Sequence, residues 1–482
     1  MTLRTGAARA GLIALLALPA SRGAAQAVDR THPPVLGPPP GLRLPPVETA
    51  TLPNRLKLHV VGMHEVPLVQ VVLMISAGGR LDDGVPGLAS FTANMLDEGA
   101  GARDALEIAA EAAYLGATLT SAADWDHCYI SLQVPRRNLD RALALMADVA
   151  LRPRVSASEV VRQRDLRLAS ILQQRADPTA TAILAFNAVV FPAGHPYHNS
   201  LTGDSASTAA LDSGRVRRFY DEYFHPDRAD LILTGDISLA EARKLVAGYF
   251  GAWTTGGAVA NLPAASATPA RTTVYLVDKP GAPQSVIRIG GPGVERGNPD
   301  YYAIEVMNML LGGSFTGRLN QNLREIRGYT YGAFSGFQYR PLPGPFSARA
   351  AVRTEVTDSA LVEFFRELRR IREEPADSTE LQRAKALIAL GQAGEFETTG
   401  QMAGQLSDLL TFELPASYFS DYGRRIMAVS AADVQRTAQL YLRPDSFAVL
   451  VTGDVARIRP GIEALGLGPV HVVDFSGDSA SH

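Results

Sequence analysis

Arg324 and Tyr331 stand seven residues apart in the segment NLREIRGYTYG. A guanidinium offers a fork of donors to a carbonyl or carboxylate, and a phenol adds one directed hydrogen bond. Together they could donate to a carbonyl or carboxylate group. The same residues also suit a solvated helix face, with Arg324 paired to Glu325 or Asp300, followed by an ordinary strand. The nine histidines are His32, His59, His64, His127, His195, His198, His225, His471 and His482. No two are four apart, the spacing at which one helix presents two imidazoles to a Zn²⁺. His195 and His198 lie in AGHPYHNS, where Pro196 favours a turn. His59 and His64 fall in or just after a strand. Cys128 is the only cysteine, so no internal disulfide or cysteine zinc site can form, and its setting in HCYISLQV suits a core strand. No G-x-S-x-G element or Cys-His arrangement stands out.

These residues need elements to position them. The stretch GLASFTANMLDEGA, Gly87 to Ala100, predicts a helix whose one face carries Leu88, Phe91 and Met95. The opposite face carries Ser90, Ala93 and Asn94, which neither pack like core nor solvate like charge. Before it, LKLHVV and LVQVVLMI within Leu56–Ile75 predict strands, and Arg141–Val149 and Glu159–Leu172 predict amphipathic helices.

The two ends of the chain and its middle divide it. Arg4 and Arg9, the apolar run Gly11–Ala20 and the small-x-small site at Ala25-Gln26-Ala27 predict a Sec-type signal peptide over 1–27. That run is too short to span a bilayer, and no later stretch is long and apolar enough, so a periplasmic protein without a membrane span is expected. The formal net charge of −3 becomes more negative once that basic segment is removed, and no basic patch suggests nucleic acid. A Pro-rich lead-in covers 28–47. The small-residue stretch TTGGAVANLPAASATPA begins the linker, taken as 254–271. Domains are expected at 48–253 and 272–460, with a tail at 461–482.

The two domains echo each other. YFHPDRADLILTGD begins at Tyr223 and YLRPDSFAVLVTGD at Tyr441, and Asn94-Met95-Leu96 finds its counterpart in Asn308-Met309-Leu310 at nearly the same offset. An internal duplication follows, each half running strand, helix, strands, helices, closing strand: an α+β order, with helices packed on a mixed, largely antiparallel sheet.

A strand, the Gly-rich turn SAGGRLDDGVPG and a helix opening Gly-Leu-Ala resemble the N-terminal domain of the pitrilysin/insulinase peptidases, the processing-peptidase branch above all. The resemblance extends over almost the whole chain after residue 27. Members carry His-x-x-Glu-His on this helix, two His sharing a zinc ion and the Glu activating its water. Aligned through Gly-Leu-Ala and Met-Leu, those positions hold Ser90, Ala93 and Asn94 here. The family's third ligand, a Glu on a later helix, falls at Ser170, and a second acid at Gln163. No position offers an imidazole or carboxylate, so the resemblance implies a degenerate site and no metal on this chain. The family also pairs an Arg with a Tyr seven residues later as a substrate clamp. Arg324 and Tyr331 match it. Arg327 and Tyr329 are neighbours, and on a strand Tyr329 would share a face with Tyr331. Gly312-Gly313-Ser314-Phe315 is similar to a glycine-rich substrate loop of non-catalytic subunits, or equally a helix C-cap.

The resemblance therefore implies a non-catalytic subunit of a heteromeric zinc peptidase. Its partner would be a homologous subunit carrying His-x-x-Glu-His and zinc, and the substrates unfolded peptides. The alternative is an inert peptide-binding or scaffold protein of the same fold, like the core subunits of respiratory complexes. An active enzyme using a different site has little support.

Overall fold

Alternating apolar residues that bury both faces of a strand need cover on both sides, and the chain supplies it in an unexpected way. The computed structural model describes residues 42, 44–82, 84–256, 271–415 and 417–474. The expected signal peptide, most of the lead-in, the linker from 257 to 270 and the last eight residues lie outside them. The first half forms strands β1 Glu48–Thr51, β2 Lys57–Gly62, β3 Leu68–Ile75, a short hairpin of β4 Gly99–Ala100 and β5 Arg103–Asp104, then β6 Thr118–Ala123, β7 Cys128–Pro135 and β8 Ala229–Gly235. The second half forms β9 Thr273–Asp278, β10 Gln284–Pro292, β11 Thr330–Phe337, β12 Pro345–Arg353, β13 Ala448–Gly453 and β14 Val470–Val472.

The sheet orders are β1-β2-β8-β3-β7-β6 and, from the opposite edge, β14-β9-β13-β10-β12-β11. After the first edge strand they match place for place, with β2–β8 and β9–β13 parallel and β3–β8 and β10–β13 antiparallel. This is the duplication expected from the repeated segments. The edges differ, since β1 pairs antiparallel with β2 while β14 pairs parallel with β9. The second sheet thus reaches Val472, past the boundary expected at 460. Pro460-Gly461 is a breaker dipeptide, yet helix Val455–Ala464 runs through it and delivers the chain to β14.

Each sheet rests one face on helices of its own half. Val69, Val71, Leu73 and Ile75 of β3 belong to one core with Leu88, Phe91 and Met95, and Ile287 and Ile289 of β10 belong to its counterpart. The other face is covered by a helix from the other half. Helix Pro178–Val190, encoded in the first half, packs on β10 and β13 of the second. Helix Thr399–Thr411, encoded in the second half, packs on β3 and β8 of the first. Val277, Val286 and Leu450 therefore share a core with Ala182, Ala185 and Phe186, and Val61, Met74 and Ile232 share one with Met402, Ala403 and Leu406. The Thr234 hydroxyl at the end of β8 donates to the Thr399 carbonyl at 2.7 Å, fastening that exchange where the helix begins. No helix among the described residues is long and apolar enough to cross a membrane.

Candidate functional site

The turn after β3 fixes where the site helix starts. Gly87 precedes helix Leu88–Asn94 with φ of 90°, and a Cβ there would meet the Thr202 carbonyl oxygen at 2.6 Å. A side chain is excluded twice over, by conformation and by the loop packed against it. The helix's first amides bond to Asp82, whose carboxylate accepts from Gly87 N and Ala89 N, both at 2.7 Å. Burial lifts the Asp82 carboxyl to about 7 against the pull of these amides and of Arg167.

The helix faces divide as the sequence indicates, with one difference. Leu88, Phe91 and Met95 are buried, but so is Ala93, which joins the same core. At the position where the resemblance places a general base, this chain has a methyl group packed against apolar neighbours. Ser90 is buried and Asn94 is exposed.

What joins Ser90 and Asn94 is Arg167, on the long surface helix Ala157–Ala176. Its Nη1 donates to the Ser90 hydroxyl at 3.0 Å and to the Gly87 carbonyl at 3.1 Å, and it approaches the Thr202 carbonyl at 3.5 Å. The Asn94 amide pairs donors with acceptors when its oxygen faces the guanidinium, accepting from Nη2 at 3.1 Å and donating to the Ser90 carbonyl at 3.2 Å. The guanidinium also lies over the Phe91 ring, 4.9 Å from its centre. Burial lowers the Arg167 pKa to about 10, opposed by Asp82, and the group stays charged at neutral pH. A cation of the protein's own thus bridges the two positions that the resemblance assigns to metal ligands.

The later positions do not converge on it. Gln163 donates to Glu98, and Ser170 is exposed, its hydroxyl accepting from Gln174 at 3.5 Å on the same helix. Ser90, Ala93, Asn94, Gln163 and Ser170 do not fit a zinc ion, because none supplies an imidazole or carboxylate and a guanidinium stands between Ser90 and Asn94. His195 and His198 sit in successive tight turns, with His195 Nδ1 accepting from Tyr197 N at 3.0 Å and His198 Nδ1 against the Phe191 carbonyl at 2.8 Å. His59 and His64 pair with Asp230 and Asp236. Among the described residues no three His, Cys, Asp or Glu side chains cluster in a metal-holding arrangement. Cys128 is buried at the start of β7, its thiol donating to the Ala77 carbonyl at 2.9 Å.

In the second half, Arg324 stands on a π-helical turn, Gln321–Ile326, immediately before β11. Such wide turns recur at functional sites because they bulge one residue out of the ladder. Arg324 is about one-third exposed, pairs loosely with Glu325 at 3.5 Å and covers the Phe315 ring at 4.3 Å. Asp300 is engaged elsewhere, by Arg436 and Tyr441. Tyr331 lies on the edge strand β11 and is 90% exposed. Phe315, under the guanidinium, and Ile326, two residues on in the chain, are both exposed.

The neighbours separate cleanly from the pair. Arg327 is held by Glu363 at 2.6 Å inside its own half. Tyr329 does not share a face with Tyr331, contrary to the strand expectation. Gly328 takes φ of 63°, the strand starts only at Thr330 and is irregular to Ala333, and Tyr329 packs against the second core. The Gly312-Gly313 segment is another wide turn, Met309–Gly313, with Gly312 pressed against β11 so that a Cβ would lie 2.6 Å from Ser335 N. Gly312 serves packing of that turn on the sheet, and Gly313 packs against Asn308 of the helix before it.

Two family models match the chain: Insulinase (Peptidase family M16) over residues 61–201 and Peptidase M16 inactive domain over residues 210–388. An uncharacterized zinc protease of Mycobacterium leprae is 27% identical over 310 residues, 62% of this chain and 68% of that protein. The solved peptidase M16 inactive domain from Pseudomonas fluorescens is similar with a TM-score of 0.79 at 27% identity, covering 84% of this chain and 98% of that one. A chain of Complex III2 from Candida albicans shares the fold, with a TM-score of 0.72 at 16% identity over 87% of this chain and 99% of that one.

Proposed function

The chain belongs to the insulinase family of peptidases, and from that premise we propose that it is a non-catalytic subunit which lends Arg324 and Tyr331 to a zinc-bearing homologue. The partner would carry His-x-x-Glu-His and cleave unfolded peptides in the periplasm. One contrast carries this reading. The helix that would hold the metal is closed by Arg167, whereas the clamp residues face outward with no strong partner of their own. An exposed tyrosine on an edge strand and a half-free guanidinium are what a substrate backbone needs for strand-like docking.

The test is co-expression with His-x-x-Glu-His homologues from the same genome, followed by peptide cleavage assays on any complex formed. Arg324→Ala or Tyr331→Phe is expected to lower kcat/KM about 100-fold, the usual scale for one lost transition-state donor, with complex formation unchanged. Failure to form a complex with any such homologue would remove the reading.

The alternative, a peptide-binding or scaffold subunit without any catalytic contribution, draws on the fold shared with the Complex III2 chain and on the contact of Arg324 with Glu325. It expects a complex whose activity ignores both substitutions.

A further inference from the structure

A second site lies in the C-terminal half, away from the helix of Ser90 and Asn94. Helices Tyr301–Asn308, Ser378–Gly391, Thr399–Thr411 and Tyr418–Ala428 surround a cavity of about 540 Å³. That volume is in the range of small-molecule pockets. Leu387, Gly391 and Glu395 are exposed at its mouth, while Arg296, Tyr301 and Tyr418 are buried in its wall.

Arg296 is the unusual member. Its guanidinium carbon lies 3.5 Å from the Tyr301 ring centre and 4.9 Å from that of Tyr418, with Phe412 and Tyr339 at 5.7 and 5.9 Å. Nη2 donates to the Tyr418 hydroxyl, and among the described residues no carboxylate lies within ion-pairing distance. Aromatic rings attract the cation through its faces but leave in-plane N–H groups open to an acceptor.

Three acids line the same cavity, Glu305, Asp408 and, at the mouth, Glu395, and among the described residues none of them forms an ion pair. Desolvation holds Glu305 and Asp408 above the ordinary carboxylate range, opposed at Glu305 by Tyr339 and at both by Arg296. Arg296 is buried with no acid of the described residues against it, Glu305 is half-buried and Asp408 is exposed at the cavity's edge; a buried guanidinium left without a counter-charge is expensive for a core. A bound molecule with the complementary charges offsets that cost.

We propose that this cavity binds a small zwitterion of dipeptide size, its carboxylate on Arg296 and its ammonium group between Glu305 and Asp408. Ile388, Phe396 and Phe419 supply an apolar wall for its side chains. The site is separate from the clamp and does not depend on any zinc-bearing partner.

Calorimetric titration of the full chain with the free-ended dipeptide leucyl-phenylalanine tests it, beside the N-acetylated, C-amidated and doubly capped forms. The free dipeptide is expected to bind, with each cap weakening it about tenfold or more, the equivalent of about 1.4 kcal/mol. Asp408→Asn keeps the shape and is expected to weaken binding at least about fivefold with the melting temperature unchanged. Gly391→Trp narrows the mouth at a position where an added Cβ meets nothing within 4 Å, so the fold is expected to persist and binding to fall. No heat and no melting shift from the free dipeptide at about 10 mM, equal binding by the doubly capped peptide, or full affinity in folded Gly391→Trp would each overturn the proposal.

Discussion

Arg167 is the residue on which the first-half site turns. It touches Ser90, Asn94, Gly87 and Phe91 at once, joining two helices that a metal would otherwise join. Arg167→Met removes those charge-assisted bonds while keeping the stem, and is expected to cost about 2–3 kcal/mol, read as a lower denaturation midpoint. A stronger consequence follows for metal. Restoring Ser90→His, Ala93→Glu, Asn94→His and Ser170→Glu is expected to give no stoichiometric zinc in metal analysis while Arg167 remains, since a guanidinium would face the ion. Zinc binding by the fourfold variant with Arg167 in place would show that it does not occupy that space. Asp82 adds a pH dependence. Its carboxyl is raised to about 7 in the folded chain, so the folded state holds the proton more tightly than the unfolded one. The stability this contributes is complete below the ordinary value near 3.8 and is lost as pH rises through about 7. The advantage of wild type over Asp82→Asn in urea unfolding is therefore expected to shrink between pH 4 and 8, by on the order of 3 kcal/mol. A constant gap would contradict it. Ser90, Ala93 and Asn94 were legible in the sequence through their neighbours, but Arg167 was not. Its position gave a signal all the same. It lies four residues after Gln163 and three before Ser170, the spacing that puts all three along one side of a helix.

At the scale of elements, strands and most helices follow from periodicity, and their partners do not. LVQVVLMI announces a strand buried on both faces. Nothing in it says that Met74 will meet Met402 and Leu406 from the far end of the chain. Helix Pro178–Val190 is apolar around much of its surface, and its own half offers no clue that β10 and β13 receive it. Two breaker residues act in opposite ways: Pro460 does not end its helix, and Gly328 turns Tyr329 away from the strand that follows. Phe186 is fully buried where the exchanged helix meets the second sheet. Phe186→Ala is expected to cost about 3–5 kcal/mol, and to loosen contacts in both halves, seen as faster amide exchange in β10 and β13. Loss confined to the helix itself would mean the exchange contributes little to the joint.

Across the whole molecule, the exchange makes the halves mutually dependent. Two of the four buried clusters contain residues from both, so neither half can cover its sheet alone. Unfolding is expected to follow one cooperative transition despite two sheets and a long linker, with calorimetric and van't Hoff enthalpies agreeing. Residues 48–253 expressed alone are expected to expose the β3–β8 face and bind a hydrophobic dye, and to lose that binding when 272–474 is supplied separately. An isolated half that melts sharply and binds no dye would count against this interdependence.

The exchange also has a consequence in time. As the chain emerges from a ribosome, or from a pore that it threads unfolded, the first sheet is complete once β8 appears. Its second face must still wait for Thr399–Thr411, which arrives near the end. Until then Val61, Met74 and Ile232 have no cover. A half-made chain of this design is sticky from Gly235 until Thr399–Thr411 arrives, so it is expected to need a holding chaperone through that interval, and late truncations are expected to have a severity out of proportion to the residues they remove.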